Sequence, residues 1–165
     1  MEKSSDARLY DRLKDLPRMG LAFSGGVDSA YLLYAALRSG CKVTPYYVKT
    51  AFQPEFELCD ARRLAQELGV RLREIPFDIL GVEMVRKNTE DRCYHCKRAL
   101  LSLVLEAAKE EGYALVADGT NASDDAGDRP GMRALREMGV CSPLREAGLT
   151  KPEIRRFSKE AGLFT

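Results

Sequence analysis

The hexapeptide Ser24-Gly25-Gly26-Val27-Asp28-Ser29 gathers the residue types that hold an anion. Adjacent glycines let backbone amides come close to a charged group and adopt positive φ where a turn requires it. Ser24 and Ser29 add hydroxyl donors. The segment lies between a short apolar run, residues 19–23, which predicts a buried strand, and residues 28–39, whose apolar pattern runs nearly all round and predicts a buried helix ended by Gly40. A loop in that place aims the unpaired amides and positive dipole end of a helix N-terminus at its ligand. It lacks the lysine and spacing of a Walker A loop, and it is not a G-x-G-x-x-G fingerprint. Asp28 is the informative residue. A carboxylate beside polyphosphate repels it unless Mg²⁺ bridges the two, so Asp28 predicts a metal–nucleotide complex. The plainer alternative is a Gly-rich turn in which Ser24 or Asp28 merely caps the helix.

A second polar constellation begins at Asp118-Gly119-Thr120-Asn121 and continues to Asp128. Asp118 and Asn121 offer oxygens to Mg²⁺, ribose or phosphate, while a solvated turn would use the same residue types. Asp28 and Asp118 are the candidate metal ligands. Asp124, Asp125 and Asp128 are weaker candidates, at least one reading as a helix cap. Cys93 and Cys96 stand three apart at a predicted helix start, where the dipole, Arg92 and Lys97 would lower a thiol pKa. They read as a reactive pair, as half of a zinc or iron–sulfur site, or as packing. No second Cys-x-x-Cys completes a site needing about four ligands, so structural use is the expectation. Cys41, Cys59 and Cys141 read as packing residues. Arg129, Arg133, Arg145, Arg155 and Arg156 form a loose basic set, either a solvated face or phosphate contacts.

Other elements must position these groups. Residues 4–16 predict an amphipathic lead-in helix, 42–49 a strand, and 55–68 a helix with Phe56, Ala61, Leu64, Ala65 and Leu68 on one face, stopped by Gly69. Residues 70–75 predict a third strand, 79–85 a helix, and 92–111 a helix capped by Asp91. Residues 113–117 predict a fourth strand, 130–138 a helix, 140–144 a fifth strand, and 150–161 a helix opened by the capping box Thr150-Lys-Pro-Glu153. Such alternation predicts a doubly wound parallel α/β sheet with helices on both faces. The 165 residues carry 26 Lys and Arg against 25 Asp and Glu, net +1, which excludes a strongly basic nucleic-acid binder. No apolar run approaches the ~18 residues of a membrane span, and no signal-peptide core precedes the first helix. Five cysteines without an export signal predict thiols in a cytoplasmic protein.

The string S-G-G-V-D-S after a first strand resembles the signature of the PP-loop (N-type) ATP pyrophosphatases. Three further segments narrow the resemblance: Asn88-Thr-Glu-Asp-Arg-Cys-Tyr-His-Cys-Lys97, Asp118-Gly-Thr-Asn-Ala-Ser-Asp124, and Arg129-Pro-Gly-Met-Arg-Ala through Ser142-Pro-Leu-Arg-Glu-Ala-Gly-Leu-Thr-Lys151. Together they are similar to the LarE-type ATP-dependent sacrificial sulfur transferases. The resemblance implies a five-stranded sheet of order 3-2-1-4-5, ATP and Mg²⁺ as cofactors, and a single ATP-binding domain over residues 1–165. It places Ser24, Gly25, Gly26, Val27, Asp28 and Ser29 on the phosphates, Gly119, Thr120 and Asn121 across the cleft, and the adenine against Val48 and Thr50. Asp28 and Ser29 are the catalytic candidates, the loop and Mg²⁺ stabilising a departing pyrophosphate. The implied substrate is a small molecule, a phosphorylated pyridinium mononucleotide, with a homo-oligomer or a separate C-terminal partner. Membrane partners are not expected, and nucleic acid is disfavoured. The family's further domain and its Ala-Cys-Leu-x-Ser-Arg segment, whose cysteine donates sulfur, are not found in these 165 residues. The alternatives are another PP-loop ligase or tRNA-thiolation-type enzyme, or a non-catalytic ATP- or AMP-binding module.

Overall fold

The computed structural model describes residues 4–16, 18–50, 53–78, 92–123 and 129–163. Eleven elements alternate along them: α1 (Ser5–Lys14), β1 (Arg18–Ala22), α2 (Val27–Arg38), β2 (Lys42–Lys49), α3 (Glu55–Leu68), β3 (Arg73–Pro76), α4 (Arg92–Glu110), β4 (Val116–Asp118), α5 (Arg129–Glu137), α6 (Pro143–Glu146) and α7 (Lys151–Glu160). The predicted helix over 79–85, the Asp91 cap, and Asp124, Asp125 and Asp128 lie outside the described residues.

All strand pairs are parallel, in the order β3-β2-β1-β4. The pleat sends successive side chains of β2 to opposite faces. Val43 and Tyr47 join a core with α1, α2 and α3, through Leu9, Leu13, Leu32, Leu33, Leu58 and Leu64. Tyr46 and Val48 join the other, with Leu101, Val104 and Ala108 of α4. Helices on both faces shield most of β1, β2 and β4 from water, while β3, at the sheet edge, alternates half-buried and exposed residues. The sequence order runs outward from β1 on one side to β2 and β3, and on the other side to β4. The carboxyl ends of β1 and β4 therefore flank a topological switch point, the place where ligands enter such sheets.

The expected fifth strand is not formed, and the sheet has four strands. Only Cys141 pairs, bridging Ala117: its N–H donates to Val116 O (3.0 Å) and its carbonyl accepts from the Asp118 N–H (2.9 Å). Two residues later Pro143 has no N–H to extend a ladder, and its fixed φ suits the first turn of α6 instead. β3 and β4 begin later than the alternation predicts because each preceding helix draws in the next residue. Gly69 and Gly112 take positive φ, and the following amides of Val70 and Tyr113 donate back to Ala65 and Ala108. Two side chains depart from their expected burial. Phe56 is 65% exposed, and Cys59 is exposed. The buried stripe of α3 runs through Leu58, Ala61, Leu64 and Ala65, and positions 56 and 59 fall off it.

Candidate nucleotide site

β1 delivers the chain into the hexapeptide, and its neighbour β2 holds Phe23 by an N–H bond to Tyr46 O (2.9 Å). Gly25 turns the loop at φ +81°, a conformation open to glycine at little cost. A Cβ there would meet the Ala61 Cβ of α3 at 3.3 Å, so α3 backs the loop. Neither Ser24 nor Asp28 caps α2. The cap residue is Gly26, with no side-chain cap bond. Ser24 Oγ instead accepts from the Gly26 N–H (3.2 Å) and pairs with Ser29 Oγ (3.0 Å), while Ser29 Oγ accepts from the Ser24 N–H (3.2 Å). These bonds lock the loop to itself. The helix N-terminus, where three amides beyond the cap lack intrahelical acceptors, is left facing the cleft.

Opposite stands the segment leaving β4. A Cβ on Gly119 would lie 2.9 Å from the Ser29 amide nitrogen, so only glycine lets the two halves approach this closely. Between them opens a cleft of about 310 Å³. Ser24, Asp28, Ser29, Val48, Asp118, Gly119 and Thr120 line it, which brings together most of the predicted residues. Val27 packs against the core. Gly25 and Gly26 face a separate hollow on the outer side of the loop, beside Phe56. Thr50 lies in an adjoining hollow beyond the ends of β2 and β3, its N–H donating to Gln53 Oε1 (2.9 Å).

Asp28 occupies the first turn of α2, where the dipole favours an acid. Its Oδ2 accepts from Lys151 Nζ (2.9 Å) and from Asn121 Nδ2 (3.1 Å). Its Oδ1 is buried and has no hydrogen-bond partner among the described residues. Asn121, 1% exposed, stands behind Asp28 and also accepts the Ser123 N–H. Asp118 is differently placed. Its Oδ1 accepts from Ser142 Oγ (2.7 Å) and the Thr120 N–H (3.2 Å), its Oδ2 accepts from Thr120 Oγ1 (2.8 Å), and Lys97 Nζ lies 3.7 Å away. An open, buried carboxylate oxygen is what a Mg²⁺ ion, itself keeping several waters and taking one or two carboxylates plus phosphate, would use. Asp28 fits that need. At Asp118 a metal competes with four partners already present. Among the described residues no three His, Cys, Asp or Glu side chains cluster as a metal site.

Sequence reasoning missed Lys151 and Lys97 as site residues. Lys151 is the first residue of α7, where the dipole disfavours a cation, so its place there calls for a carboxylate partner, which is Asp28. Lys97 lies in the second turn of α4 and reaches toward Asp118. The apolar wall was missed as well. Leu100, Leu101 and Val104 of α4 face Tyr46 and Val48 and form a slot suited to a flat ring. Among the described residues no arginine of the basic set lines the cleft. Arg133 lies over the Tyr94 ring (3.9 Å), whereas Arg156 lies over Phe157 on α7. The Cys93 and Arg129 side chains lie outside the described residues. Cys96 is half-buried, and burial pushes the Cys141 thiol up to about 11.

No protein-family model matches the sequence. The chain is 35% identical over 159 residues to the pyridinium-3,5-bisthiocarboxylic acid mononucleotide synthase of Lactiplantibacillus plantarum, an alignment covering 95% of this chain and 58% of that protein. Over nearly its whole length the chain is similar to a LarE-type member of the PP-loop superfamily. It thus spans little more than half the length of this LarE-type relative. Two solved PP-loop structures share the fold. The U34-tRNA thiolase NcsA of Methanococcus maripaludis, with its [4Fe-4S] cluster, superposes with a TM-score of 0.75 at 16% identity, over 97% of this chain and 64% of that one. The NH3-dependent NAD synthetase of Campylobacter jejuni gives 0.71 at 20% identity, over 97% and 73%. The three relatives are enzymes. Among the described residues no helix is long and apolar enough to cross a membrane.

Proposed function

We propose that this chain binds Mg²⁺-ATP in the β1–β4 cleft and adenylates a substrate carboxylate, as the ATP-pyrophosphatase part of a LarE-like sulfur transferase. The observation that carries the reading is the uncapped N-terminus of α2 with Asp28 beside it, one oxygen buried and open, the other on Lys151. The loop amides and hydroxyls of Ser24 and Ser29 would receive the phosphates. Asp28 would hold Mg²⁺, which supplies charge neutralisation on the departing pyrophosphate. Lys151 would turn from Asp28 to the phosphates, and Lys97, anchored by Asp118, would draw an anionic group into the cleft. The adenine would fit the slot between Val48, Tyr46 and Leu101. In the reaction a carboxylate oxygen attacks the α-phosphorus, the bond to the β-phosphate bridging oxygen breaks, and pyrophosphate leaves with the electron pair. The substrate is a pyridinium mononucleotide carboxylate, in keeping with the relative's name.

The deciding experiment incubates the chain with Mg²⁺-ATP and nicotinic acid mononucleotide, a pyridinium carboxylate, and assays pyrophosphate and AMP. Pyrophosphate release that depends on the carboxylate is the expected result. Nucleotide binding with no pyrophosphate would make the chain a binding module. Release with tRNA but not with the pyridinium would move it to the thiolases.

A further inference from the structure

Helix α1 contributes no residue to the cleft lining, yet it grips the segment that carries Lys151. Ser5, 7% exposed, donates from Oγ to Glu153 Oε2 (2.7 Å). Glu153 Oε1 accepts from the Thr150 N–H (3.1 Å) and from Thr150 Oγ1 (3.0 Å), closing the capping box at the start of α7. Arg8 Nε donates to Ala147 O (3.0 Å), and Arg12 Nε pairs with Glu146 Oε2 (2.6 Å). The residue immediately after the cap is Lys151. Its N–H donates to Ser123 Oγ (3.0 Å), and its Nζ reaches Asp28. A lysine at the first position of a helix meets the positive dipole end and would swing away without other restraint. Glu153 supplies that restraint as the acceptor that closes the capping box and sets the angle of the first turn.

We propose that Glu153, braced from α1 by Ser5, is a positioning residue that holds Lys151 against Asp28. The proposal does not need nucleotide to be tested. Its consequence for ATP binding rests on the reading of the cleft given above. Glu153 touches neither Asp28 nor the cleft, so its effect must pass through Lys151.

The first arm is a urea-unfolding double-mutant cycle of Asp28→Asn and Lys151→Met, run in the native background and again with Glu153→Ala or Ser5→Ala. Coupling between the two sites of about fivefold in the unfolding constant is expected in the native background, the size usual for contacting residues. It should fall to within error in both tether variants. Glu153→Gln, which keeps an acceptor for Thr150, should restore most of it. Equal coupling with and without the tether overturns the proposal, as does absence of coupling in the native protein. Ser5→Ala serves where Glu153→Ala fails to fold. The second arm titrates Mg²⁺-ATP. Glu153→Ala should weaken binding about tenfold where Lys151 is present and change nothing in the Lys151→Met background. Additive losses overturn the proposal. If the native chain binds no ATP, the cleft reading falls, and the urea cycle still decides the role of Glu153.

Discussion

Lys151 Nζ lies 2.9 Å from Asp28 Oδ2, joining the first turn of α7 to that of α2, whose Asp28 lines the cleft. The pair is partly exposed, at 32% and 22%, so its direct worth to stability is modest, about 0–1 kcal/mol. Its value is electrostatic order. A lone carboxylate at an anion site would repel phosphate. Lys151 on one oxygen counters the Asp28 charge, and in the function proposed here Mg²⁺ and polyphosphate, arriving together, would offer each side chain a new partner.

Asp28→Asn should therefore weaken ATP binding by about 1–3 kcal/mol when Mg²⁺ is present, and should change it little, or improve it, when Mg²⁺ is absent. The improvement has two sources: a negative charge is removed, and Lys151 is released to the phosphates. Calorimetric titration of both proteins with and without Mg²⁺ reads it. Equal affinities in all four titrations would remove Asp28 from metal binding.

Lys151→Met should behave differently. It should cost ATP affinity in both conditions, about 1–3 kcal/mol, because a charge-assisted contact to phosphate is lost whether or not metal is bound. The unfolding midpoint in urea should move little, by the small worth of a part-exposed pair. A large loss of stability with unchanged affinity would make Lys151 a structural residue.

At Gly119 the added methyl of Gly119→Ala must enter a space whose limit is backbone, the Ser29 amide nitrogen at 2.9 Å. Backbone cannot swing aside as a side-chain tip can, so the two halves of the cleft must part. The expected cost is about 1–3 kcal/mol in urea unfolding, accompanied by weaker ATP binding. Unchanged stability would show that the β4 exit loop yields freely.

The Ser5 hydroxyl, then the Thr150 amide, hold the Glu153 carboxyl below the usual carboxylate range. A group whose pKa is lower in the folded chain lends stability that is complete above the unfolded value, about 4.3, and is lost as the pH falls through the folded value. Stability should thus fall on acidification below about pH 4.3, and Glu153→Gln should flatten part of that slope. Part of the slope will remain, because Tyr94 lowers Glu137 and Arg62 lowers Glu74 in the same direction. Urea unfolding across that pH range checks the difference; identical slopes would remove Glu153 from the acid transition.

Thiol labelling at mildly alkaline pH should modify Cys59, which is exposed, before Cys41 and Cys141. Burial raises both of the latter, so little thiolate forms and little of it is reachable. Peptide mapping after brief alkylation gives the order, and early modification of Cys141 would show that the β4 edge opens.

Much of this molecule is local in origin, and what is local was legible in the chain. The apolar run 19–23, the two glycines and the buried helix after them specify a strand, an anion loop and a helix N-terminus in that order, because propensity and periodicity act within a few residues. The parallel pairing followed from the alternation, and the order β3-β2-β1-β4 from the resemblance alone. The fifth strand failed for a reason also written locally, Pro143, but its outcome depended on whether β4 offered Cys141 one bridge or a full ladder. The partners of the charged groups were not legible. Asp28 and Lys151 are 123 residues apart, and Asp118 and Lys97 are carried by different elements. Side-chain pairing across such distances is decided by the packing of α7 and α4 against the sheet. The sequence identified Asp28 as a carboxylate out of keeping with an anion site. Only the folded structure, by bringing Lys151 to one oxygen and burying the other, decided how that charge is held.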